Sequence, residues 1–511
     1  MAARLQTLDR PALRTPAAPA GGWRHVVSDW LVVSGATVVC HALGMVTSLL
    51  LKMLLSPAQM GVWQALKMLL GYGNYANLGI SKGAIREYTV ARGRGETTAA
   101  RRGLDVAFTF NTVSSLAYAV LLLAAAAWIG RSSDSPWAGP WAIGLAVVGG
   151  LAVLSRYVSY QVTILRAQKA FVLTSRLAIL EAVLTLSVCG TATWLWGIHG
   201  LFLGTLVVLL AAFLFVQHHQ KIDLRWGYDG QEVRRLIGIG GPILLAGTMV
   251  TLFRSIDKLM ILGYFGDREF QLGCYSVALM VSAQLYGLGN MLSVVMNPRY
   301  GETFGQTGSR AAVARLAAVA AELHAAALAL PAALAIVLAA PVLGYLLPDY
   351  QSGLPALRWL APGTIALVLA LPAGQYLVAV GRQNRMLWAV LPAIPVAALG
   401  NHLAISGGLG LTGIAAATAV SYFTYFVLII AISFWRDLDH TGRRRYLTLT
   451  TLALLPSIAA AVLLEHSLPS TEIGPAATLG KALAVTAVWA ASCGTAWHLG
   501  GWSKDVSRHR S

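Results

Sequence analysis

Long apolar runs separated by short polar connections follow one another from near residue 30 to near residue 500 of this 511-residue chain. Runs of roughly 20 apolar residues are long enough to cross a bilayer as helices, which satisfy their own backbone hydrogen bonds where lipid cannot. The pattern therefore predicts an all-α polytopic membrane protein with about fourteen transmembrane helices. The predicted helices span residues 30–51, 60–81, 105–129, 139–160, 171–196, 198–217, 236–263, 273–296, 315–346, 356–380, 386–405, 408–433, 446–464 and 476–500.

The composition agrees with a membrane protein, and the placement of the charges predicts its orientation. Hydrophobic residues make up 57% of the chain and charged residues 12%, and the charged fraction is about half that of a soluble protein. Of the 38 Lys and Arg residues, 29 fall in the tails and connections of one side, whereas the connections of the other side hold only Arg131 and Arg268. Because cytoplasmic loops carry the excess of Lys and Arg, we expect a bacterial inner-membrane protein with both termini in the cytoplasm.

The sequence disfavours several other classes of protein. Residues 1–28 are rich in Ala, Pro and Arg, which predicts a disordered cytoplasmic tail rather than a signal peptide. The four cysteines show neither metal spacing nor a disulfide framework, and no nucleotide-binding or hydrolase motif is present. We therefore expect a protein that is not an enzyme, with no cofactor and no metal site. The basic stretch 82–102 is expected to meet anionic lipid headgroups rather than nucleic acid.

The two halves of the chain share short motifs in the same order, at offsets between 206 and 216 residues. Gly61-Val-Trp63 matches Gly273-Cys-Tyr275, and Gly197-Ile-His-Gly200 matches Gly410-Leu-Thr-Gly413. Matched helices have the same orientation, so the repeat predicts two six-helix lobes related by an axis along the membrane normal. The predicted parts are a tail at 1–28, an N-lobe at 29–220, a C-lobe at 221–435, and two added helices with a cytoplasmic tail at 436–511.

Motifs spread over nearly the whole chain give it a resemblance to a known group of transporters. They are Leu55-Ser-Pro57-Ala-Gln-Met-Gly61-Val-Trp63, Asn77-Leu-Gly79, Asp257-Lys258, Leu262-Gly263, Gly273-Cys-Tyr275, Pro348-Asp-Tyr350, Gly381-Arg382-Gln383 and Gly410-Leu-Thr-Gly413-Ile-Ala-Ala. The chain resembles the multidrug/oligosaccharidyl-lipid/polysaccharide (MOP) exporter superfamily, and within it the Wzx-type polysaccharide flippases. The resemblance implies two lobes around a central cavity that opens alternately to each side. It also implies a substrate in which sugars are carried on polyprenyl pyrophosphate.

Polar residues form matching stripes on helices that the repeat makes equivalent. His41, Ser48 and Lys52 are spaced by seven and four positions, which places them on one helix face, and an offset of 206 maps the last two onto Arg254 and Lys258. Cationic residues on such a face predict an anionic ligand, because Lys and Arg bind phosphate oxygens. The candidate substrate-binding residues are Lys67, Arg254, His41, Ser48, Lys52, Asn74, Asn77 and Lys258.

Lys67 and Arg254 are the strongest of these candidates, because both lie inside predicted helices, where a charge is costly unless it faces protein or water. The alternative is that each extends to the membrane interface or pairs with an acid such as Asp257. A second group of residues could bind a coupling proton or cation, although packing or interfacial roles are the simpler interpretation. These residues are Glu181, Asp257, Glu322 and His324.

The expected function is translocation of a polyprenyl-pyrophosphate-linked oligosaccharide for capsule, exopolysaccharide or O-antigen synthesis. Its expected partners are this lipid-linked glycan, membrane lipids, and a polysaccharide polymerase and glycosyltransferases. A multidrug or lipid II exporter of the same superfamily is the closest alternative, but an exporter of cationic drugs would favour an acidic cavity. The third hypothesis is a membrane polysaccharide polymerase or ligase, which would be expected to need a large periplasmic loop that this sequence lacks.

Overall fold

The computed structural model describes residues 23–93, 97–132, 135–168, 170–219, 224–468 and 474–500, and these residues are helical almost throughout, with no β-strand among them. Most of the predicted tail lies outside them, but residues 23–28 of that tail belong to the first helix. The helices are α1 (Trp23–Leu54), α2 (Pro57–Tyr72), α3 (Ile80–Gly93), α4 (Thr97–Ser132), α5 (Ala138–Ala167), α6 (Phe171–Leu184), α7 (Gly190–His219), α8 (Gly230–Phe253), α9 (Ile256–Tyr264), α10 (Arg268–Thr307), α11 (Arg310–Leu346), α12 (Leu354–Leu369), α13 (Leu371–Ala379), α14 (Arg385–Ser406), α15 (Gly410–Ile432), α16 (His440–Ser467) and α17 (Pro475–Gly500).

The connections between these helices divide the molecule into two ends. The basic end carries the connections that the sequence predicts to be cytoplasmic, and its described residues are 168, 170, 224–229, 308–309, 380–384 and 433–439. The described residues of the connections at the opposite end are 55–56, 135–137, 265–267, 347–353, 407–409, 468 and 474. The stretch 82–102, expected as a basic loop, is mostly helical, because α3 continues to Gly93 and α4 begins at Thr97.

Eleven helical stretches of the described residues are long and apolar enough to cross a membrane, and a bent pair within α8 raises the number to twelve. The predicted number of fourteen therefore stays a prediction. One reason for the difference is that residues 171–219 count as one stretch, although Trp196 and Gly197 leave helical geometry there. Gly200 lies directly against the carbonyl of Ala192, which a straight helix would hold two turns away. The chain thus reverses near Gly197, where the sequence predicts a boundary.

The second predicted helix, 60–81, is interrupted in the structure. Its first part, α2, begins with a capping box in which the Ser56 and Gln59 side chains each accept a hydrogen bond from the other residue's backbone N–H. After Tyr72 the chain forms a 3₁₀ turn, and Leu78 and Gly79 adopt positive φ angles of 51° and 86°. This left-handed pair ends the helical path and starts α3 in a new direction.

Arg156, one of the 29 Lys and Arg residues counted on the cytoplasmic side, lies inside the bundle. Because α5 continues to Ala167, the side chain is buried, with 7% of its surface exposed. Its guanidinium donates to the carbonyls of Gly73 and Asn74, the latter at 2.9 Å. Carbonyls at a helix end lack intrahelical partners, so Arg156 satisfies the end of α2. The number of cations counted at the basic end is therefore smaller by one residue.

At the opposite end, α2 and α10 meet with their backbones in contact. A Cβ atom on Gly61 would overlap the carbonyl of Glu269, and a Cβ atom on Gly273 would overlap the carbonyl of Pro57. The two contacts exchange under the sequence repeat, because Pro57 and Glu269, like Gly61 and Gly273, are 212 positions apart. Only glycine permits this approach, and the contact joins the N-lobe to the C-lobe at a point of pseudo-symmetry.

At the basic end, the N-lobe and the C-lobe meet through α3 and α8. A Cβ atom on Gly83 would overlap the carbonyl of Leu236, and one on Gly240 would overlap that of Gly79. Arg235 of α8 forms an ion pair with Glu87 of α3 next to this contact. Both ends of the interface between the lobes are therefore closed in this structure.

A helix-capping residue, Asp229, stabilises the basic end of the molecule. Asp229 precedes α8 and accepts hydrogen bonds from the backbone N–H groups of Gln231 and Glu232, at 3.0 and 3.3 Å, while Arg102 of α4 pairs with its carboxylate. The backbone hydrogen bond from Glu232, followed by the contact with Arg102, holds the pKa of the Asp229 carboxyl below its ordinary value. The negative charge of Asp229 thus stays available to both helices.

The added helices α16 and α17 pack against α11 of the C-lobe. Two sets of buried charges join them to the lobe. Arg445 of α16 lies 3.8 Å from Glu322 of α11. Towards the other end, Glu465 of α16 binds Arg358 at 2.6 Å and Lys481 at 3.1 Å. These pairs explain structurally several of the charges found inside predicted helices.

Candidate substrate site

Two lysines of the N-lobe lie near each other without an acidic partner. Lys52 at the end of α1 is buried, with 2% of its surface exposed, and its Nζ donates to Ser48 Oγ at 3.3 Å. Lys67 is the eleventh residue of α2 and is close enough to Lys52 for the two charges to repel each other. Within the described ranges, no carboxylate forms an ion pair with either lysine. Two cations in a low-dielectric region attract an anion strongly.

The side chain of Lys67 belongs to an open polar stripe on α2. Lys67 and Gly71 of α2 are exposed, as is Asn74 in the 3₁₀ turn that follows, whereas Trp63, one turn before Lys67, and Leu66 are buried. A stripe of Lys, Gly and Asn would be costly against lipid, since lipid offers no hydrogen-bonding partners. We infer that this face of α2 borders water-filled space inside the protein.

The matching region of the C-lobe has its charges paired. Asp257 is buried, with 2% of its surface exposed, and its Oδ1 lies 3.0 Å from Lys258 Nζ. The Tyr275 hydroxyl donates to Asp257 Oδ2 at 2.9 Å, and Lys258 Nζ also donates to the carbonyl of Arg254 at 2.6 Å. The ion pair with Asp257 that was considered for Arg254 thus belongs to Lys258. Asp257 and Lys258 form a satisfied structural unit here.

Arg254 lies at a break in the predicted helix 236–263, because α8 ends at Phe253 and α9 begins at Ile256. Its guanidinium carbon is 3.9 Å from the centroid of the Tyr286 ring, a cation–π contact. Arg254 also interacts electrostatically with Tyr422 of α15. The side chain is only half-buried, so part of the guanidinium can reach a ligand.

The structure brings the candidate residues together as two groups, one in each lobe. No contact within the described part of the chain joins Arg254 to Lys52 or Lys67. The lobes are connected at this level by Tyr75, whose hydroxyl donates to Thr251 Oγ1 of α8. A single phosphate site shared by Lys67 and Arg254 therefore stays a prediction.

Two further candidates have local roles. The ring of His41 lies directly against Gly287 of α10, where a Cβ atom would overlap it. His41 also lines a cavity of about 420 Å³ between α1 and α6, together with Arg166. Asn77 is buried, and its Oδ1 accepts from the backbone N–H of Gly79 at 3.0 Å. Asn77 thus stabilises the turn before α3 rather than facing open space.

The coupling-ion candidates lie on three helices, with Glu181 on α6, Asp257 on α9, and Glu322 and His324 on α11. Glu181 of α6 interacts electrostatically with Arg166, and Glu322 pairs with Arg445 as described above. His324 is buried, with Nδ1 2.6 Å from the Ala320 carbonyl and Nε2 3.0 Å from the Gly289 carbonyl. In the described residues no group of three His, Cys, Asp or Glu side chains has the arrangement of a metal site. A coupling role for these side chains stays a prediction.

The structure places beside the candidate substrate site two residues that the sequence pattern does not reveal. Lys82 was assigned to the basic stretch, but its Nζ lies 3.5 Å from the Cβ position of Gly247, on the polar face of α8. Tyr286 packs against Arg254 and belongs to none of the motifs or polar stripes that the sequence reveals. Aromatic partners of this kind come from distant helices, which periodicity does not reveal.

Comparison with known proteins identifies the family of this chain. Residues 50–349 match the polysaccharide biosynthesis protein family. The chain belongs to this family. No curated protein matches the sequence.

Solved structures show which fold this polysaccharide biosynthesis protein has. The lipid II flippase MurJ in its inward closed conformation matches with a TM-score of 0.67 at 12% identity, over 92% of this chain and 99% of MurJ. A MOP superfamily transporter from Pyrococcus furiosus matches with a TM-score of 0.56 at 15% identity, over 82% and 96%. An inward-facing multidrug resistance MATE family transporter matches with 0.53 at 17% identity, over 83% and 95%. The protein therefore has the fold of the MOP superfamily, as the sequence motifs predict.

Proposed function

We propose that this polysaccharide biosynthesis protein translocates a polyprenyl-pyrophosphate-linked oligosaccharide across the bacterial inner membrane. The two lobes open alternately towards the basic end, which faces the cytoplasm, and towards the opposite end. The substrate's pyrophosphate binds at the lysines of the N-lobe, and Arg254 of the C-lobe contributes a further charge. The family and the MOP fold support this proposal.

The observation that carries the proposal is the charge balance of the protein interior. Four carboxylates are buried within the described ranges, and each has a cationic partner. They are Asp257, Glu269, Glu322 and Glu465. In the same described ranges Lys52 and Lys67 have no carboxylate partner, so the surplus charge on this side of the interior is positive. A pyrophosphate supplies the missing negative charge.

The same charge balance argues against the closest alternative. An exporter of cationic drugs needs an acidic group that is free to bind its substrate, and the buried acids named above are engaged. A lipid II exporter would need the same pyrophosphate site, because lipid II also carries a pyrophosphate. The glycan, rather than the phosphate site, separates these two hypotheses.

Export measured together with membrane abundance tests the proposal. Lys67→Ala and Arg254→Ala should each reduce export of the polysaccharide in the native host, and the double variant should reduce it further. Each lost charge-assisted contact should cost roughly ten- to a hundredfold in substrate affinity. Arg254→Lys should restore part of the export, because it returns the charge without the planar fork.

Arg310→Ala is the matched control, since it removes an exposed cation at the basic end. It should leave export and abundance unchanged. Normal export by the Lys67→Ala, Arg254→Ala double variant at normal abundance would contradict the phosphate site.

A further inference from the structure

A second cavity lies at the opposite end of the molecule, between the lobes, and its volume is about 510 Å³. Trp128 and Trp141 of α4 and α5 line it from the N-lobe, and Leu262 and Arg268 line it from the C-lobe. Its size falls in the range of small-molecule sites, which runs from about 300 to 1,000 Å³. Neither lysine of the candidate phosphate site borders this cavity, so its ligand must be recognised by different chemistry.

The polar groups of this cavity are fixed by contacts between the lobes. Trp141 Nε1 donates to Glu269 Oε1 at 2.9 Å, and Arg268 Nε donates to the same oxygen at 3.2 Å. Glu269 is itself buried, with 6% of its surface exposed. Glu269 therefore orients the indole and the guanidinium that line the cavity, and its negative charge offsets the charge of Arg268. Because Trp141 is bound to a buried carboxylate, it differs from tryptophans that only anchor a protein at the lipid interface.

Two indole rings and a guanidinium whose charge is offset by Glu269 form a set of groups suited to a sugar ring. The C–H face of a pyranose packs on an aromatic ring, while its hydroxyl oxygens accept hydrogen bonds from an arginine. The ion pair of Arg268 with Glu269 leaves little net charge to attract a phosphate, and a lipid chain would leave the remaining N–H groups of Arg268 without acceptors. The chemistry of the cavity therefore favours a neutral sugar.

We propose that this cavity binds a sugar ring of the transported glycan at the release side of the protein, an inference that rests on the proposed function. Glu269 joins the cavity to the closure at this end, because Gly61 packs against the Glu269 carbonyl. The hydrogen bond from Trp141 to Glu269 spans the two lobes, so separation of the lobes breaks it. A sugar then binds the indole and the carboxylate in its place and delays closure behind the glycan.

Sugar binding to the purified full-length protein in lipid nanodiscs tests the proposal. The probes are methyl glycosides of glucose, galactose and N-acetylglucosamine, observed by saturation-transfer difference NMR, at concentrations up to roughly 10 mM. We expect saturable binding of at least one glycoside. Trp128→Ala and Trp141→Phe should each weaken it about three- to tenfold, through loss of stacking in one and of the indole N–H in the other.

Trp194→Ala is the matched control, because Trp194 lies at the same end and is 72% exposed, close to the 70% of Trp128, but does not line the cavity. It should leave sugar binding unchanged. The absence of saturable binding by all three glycosides, or equal weakening by the control, would overturn the sugar site.

Binding of polyprenyl pyrophosphate to the same samples separates this inference from the proposed function. Retained lipid binding without sugar binding overturns the sugar site alone. Sugar binding without any lipid pyrophosphate binding overturns the phosphate site, and with it the assignment of the sugar to a lipid-linked glycan.

Discussion

The charged side chains inside the two lobes differ in whether they have partners of opposite charge. In the N-lobe, Lys52 and Lys67 approach each other with no carboxylate paired to them in the described residues. In the C-lobe, Asp257 neutralises Lys258 and accepts a hydrogen bond from Tyr275. The sequence repeat pairs Lys52 with Lys258. In the described residues, Lys258 has a carboxylate partner and Lys52 does not.

This comparison separates charges that hold the fold from charges that are available to a ligand. Breaking a buried pair leaves an uncompensated charge and is costly, whereas neutralising an unpaired cation removes a desolvation cost. Stability measurements should therefore rank the buried charges by how well they are paired. Function should depend most on the charges that contribute least to stability.

The largest loss of stability is expected for Asp257→Asn. The change leaves Lys258 without its counterion and should lower the free energy of unfolding by about 3 kcal/mol. Denaturant unfolding of the purified protein in detergent measures it. The double variant Asp257→Asn, Lys258→Met should recover much of the loss, since it removes the orphaned charge as well. Unchanged stability of the single variant would show that the pair is not structural.

Arg156→Met should cost somewhat less, about 2 kcal/mol, through its two hydrogen bonds to the end of α2. This cation belongs to the N-lobe but has partners, so it should behave like the paired charges of the C-lobe. The same unfolding experiment tests it, with exposed Arg166→Met on the same helix as the control. If both variants unfold alike, the buried guanidinium contributes nothing to α2.

Arg254→Met should lower stability by about 1 kcal/mol, the contribution of a half-exposed cation–π contact with Tyr286. Tyr286→Leu should have a similar effect, and the double variant should not be worse than either single one. Full additivity in this double-mutant cycle would mean that Arg254 and Tyr286 do not interact.

The smallest effect on stability is expected for Lys52→Met. This side chain is buried, and among the described residues its hydrogen-bond partner is the Ser48 hydroxyl alone, so its loss should leave the free energy of unfolding unchanged or raise it slightly. Destabilisation of more than about 2 kcal/mol would reveal a structural role and would remove the contrast between the lobes.

The sequence predicts the fold well where one long apolar run makes one helix. It predicts the reversal at Gly197 as well, because the glycine sits between two runs. It fails at Leu78 and Gly79, where two positive φ angles break a run that hydrophobicity makes continuous. It also misplaces Arg156, since the carbonyls that accept its hydrogen bonds lie about 80 positions away in the chain.

The candidate site shows the same limit. Periodicity identifies the polar faces that carry Lys52, Lys67 and Arg254, because the spacing of residues on a helix is fixed. It does not tell which faces meet. The sequence alone allows Arg254 to pair with Asp257. In the structure, Arg254 lies at the break between α8 and α9 and contacts Tyr286, and Asp257 pairs with Lys258.

Binding of polyprenyl pyrophosphate to the purified protein is the decisive test of the phosphate site. Its affinity would be measured for the unaltered protein and for the Lys52→Met, Lys67→Met double variant, with uncharged polyprenol as the control ligand. We expect the variant to bind the pyrophosphate at least about tenfold more weakly, with an unchanged free energy of unfolding and unchanged polyprenol binding. Equal affinity of the two proteins for the pyrophosphate would contradict it.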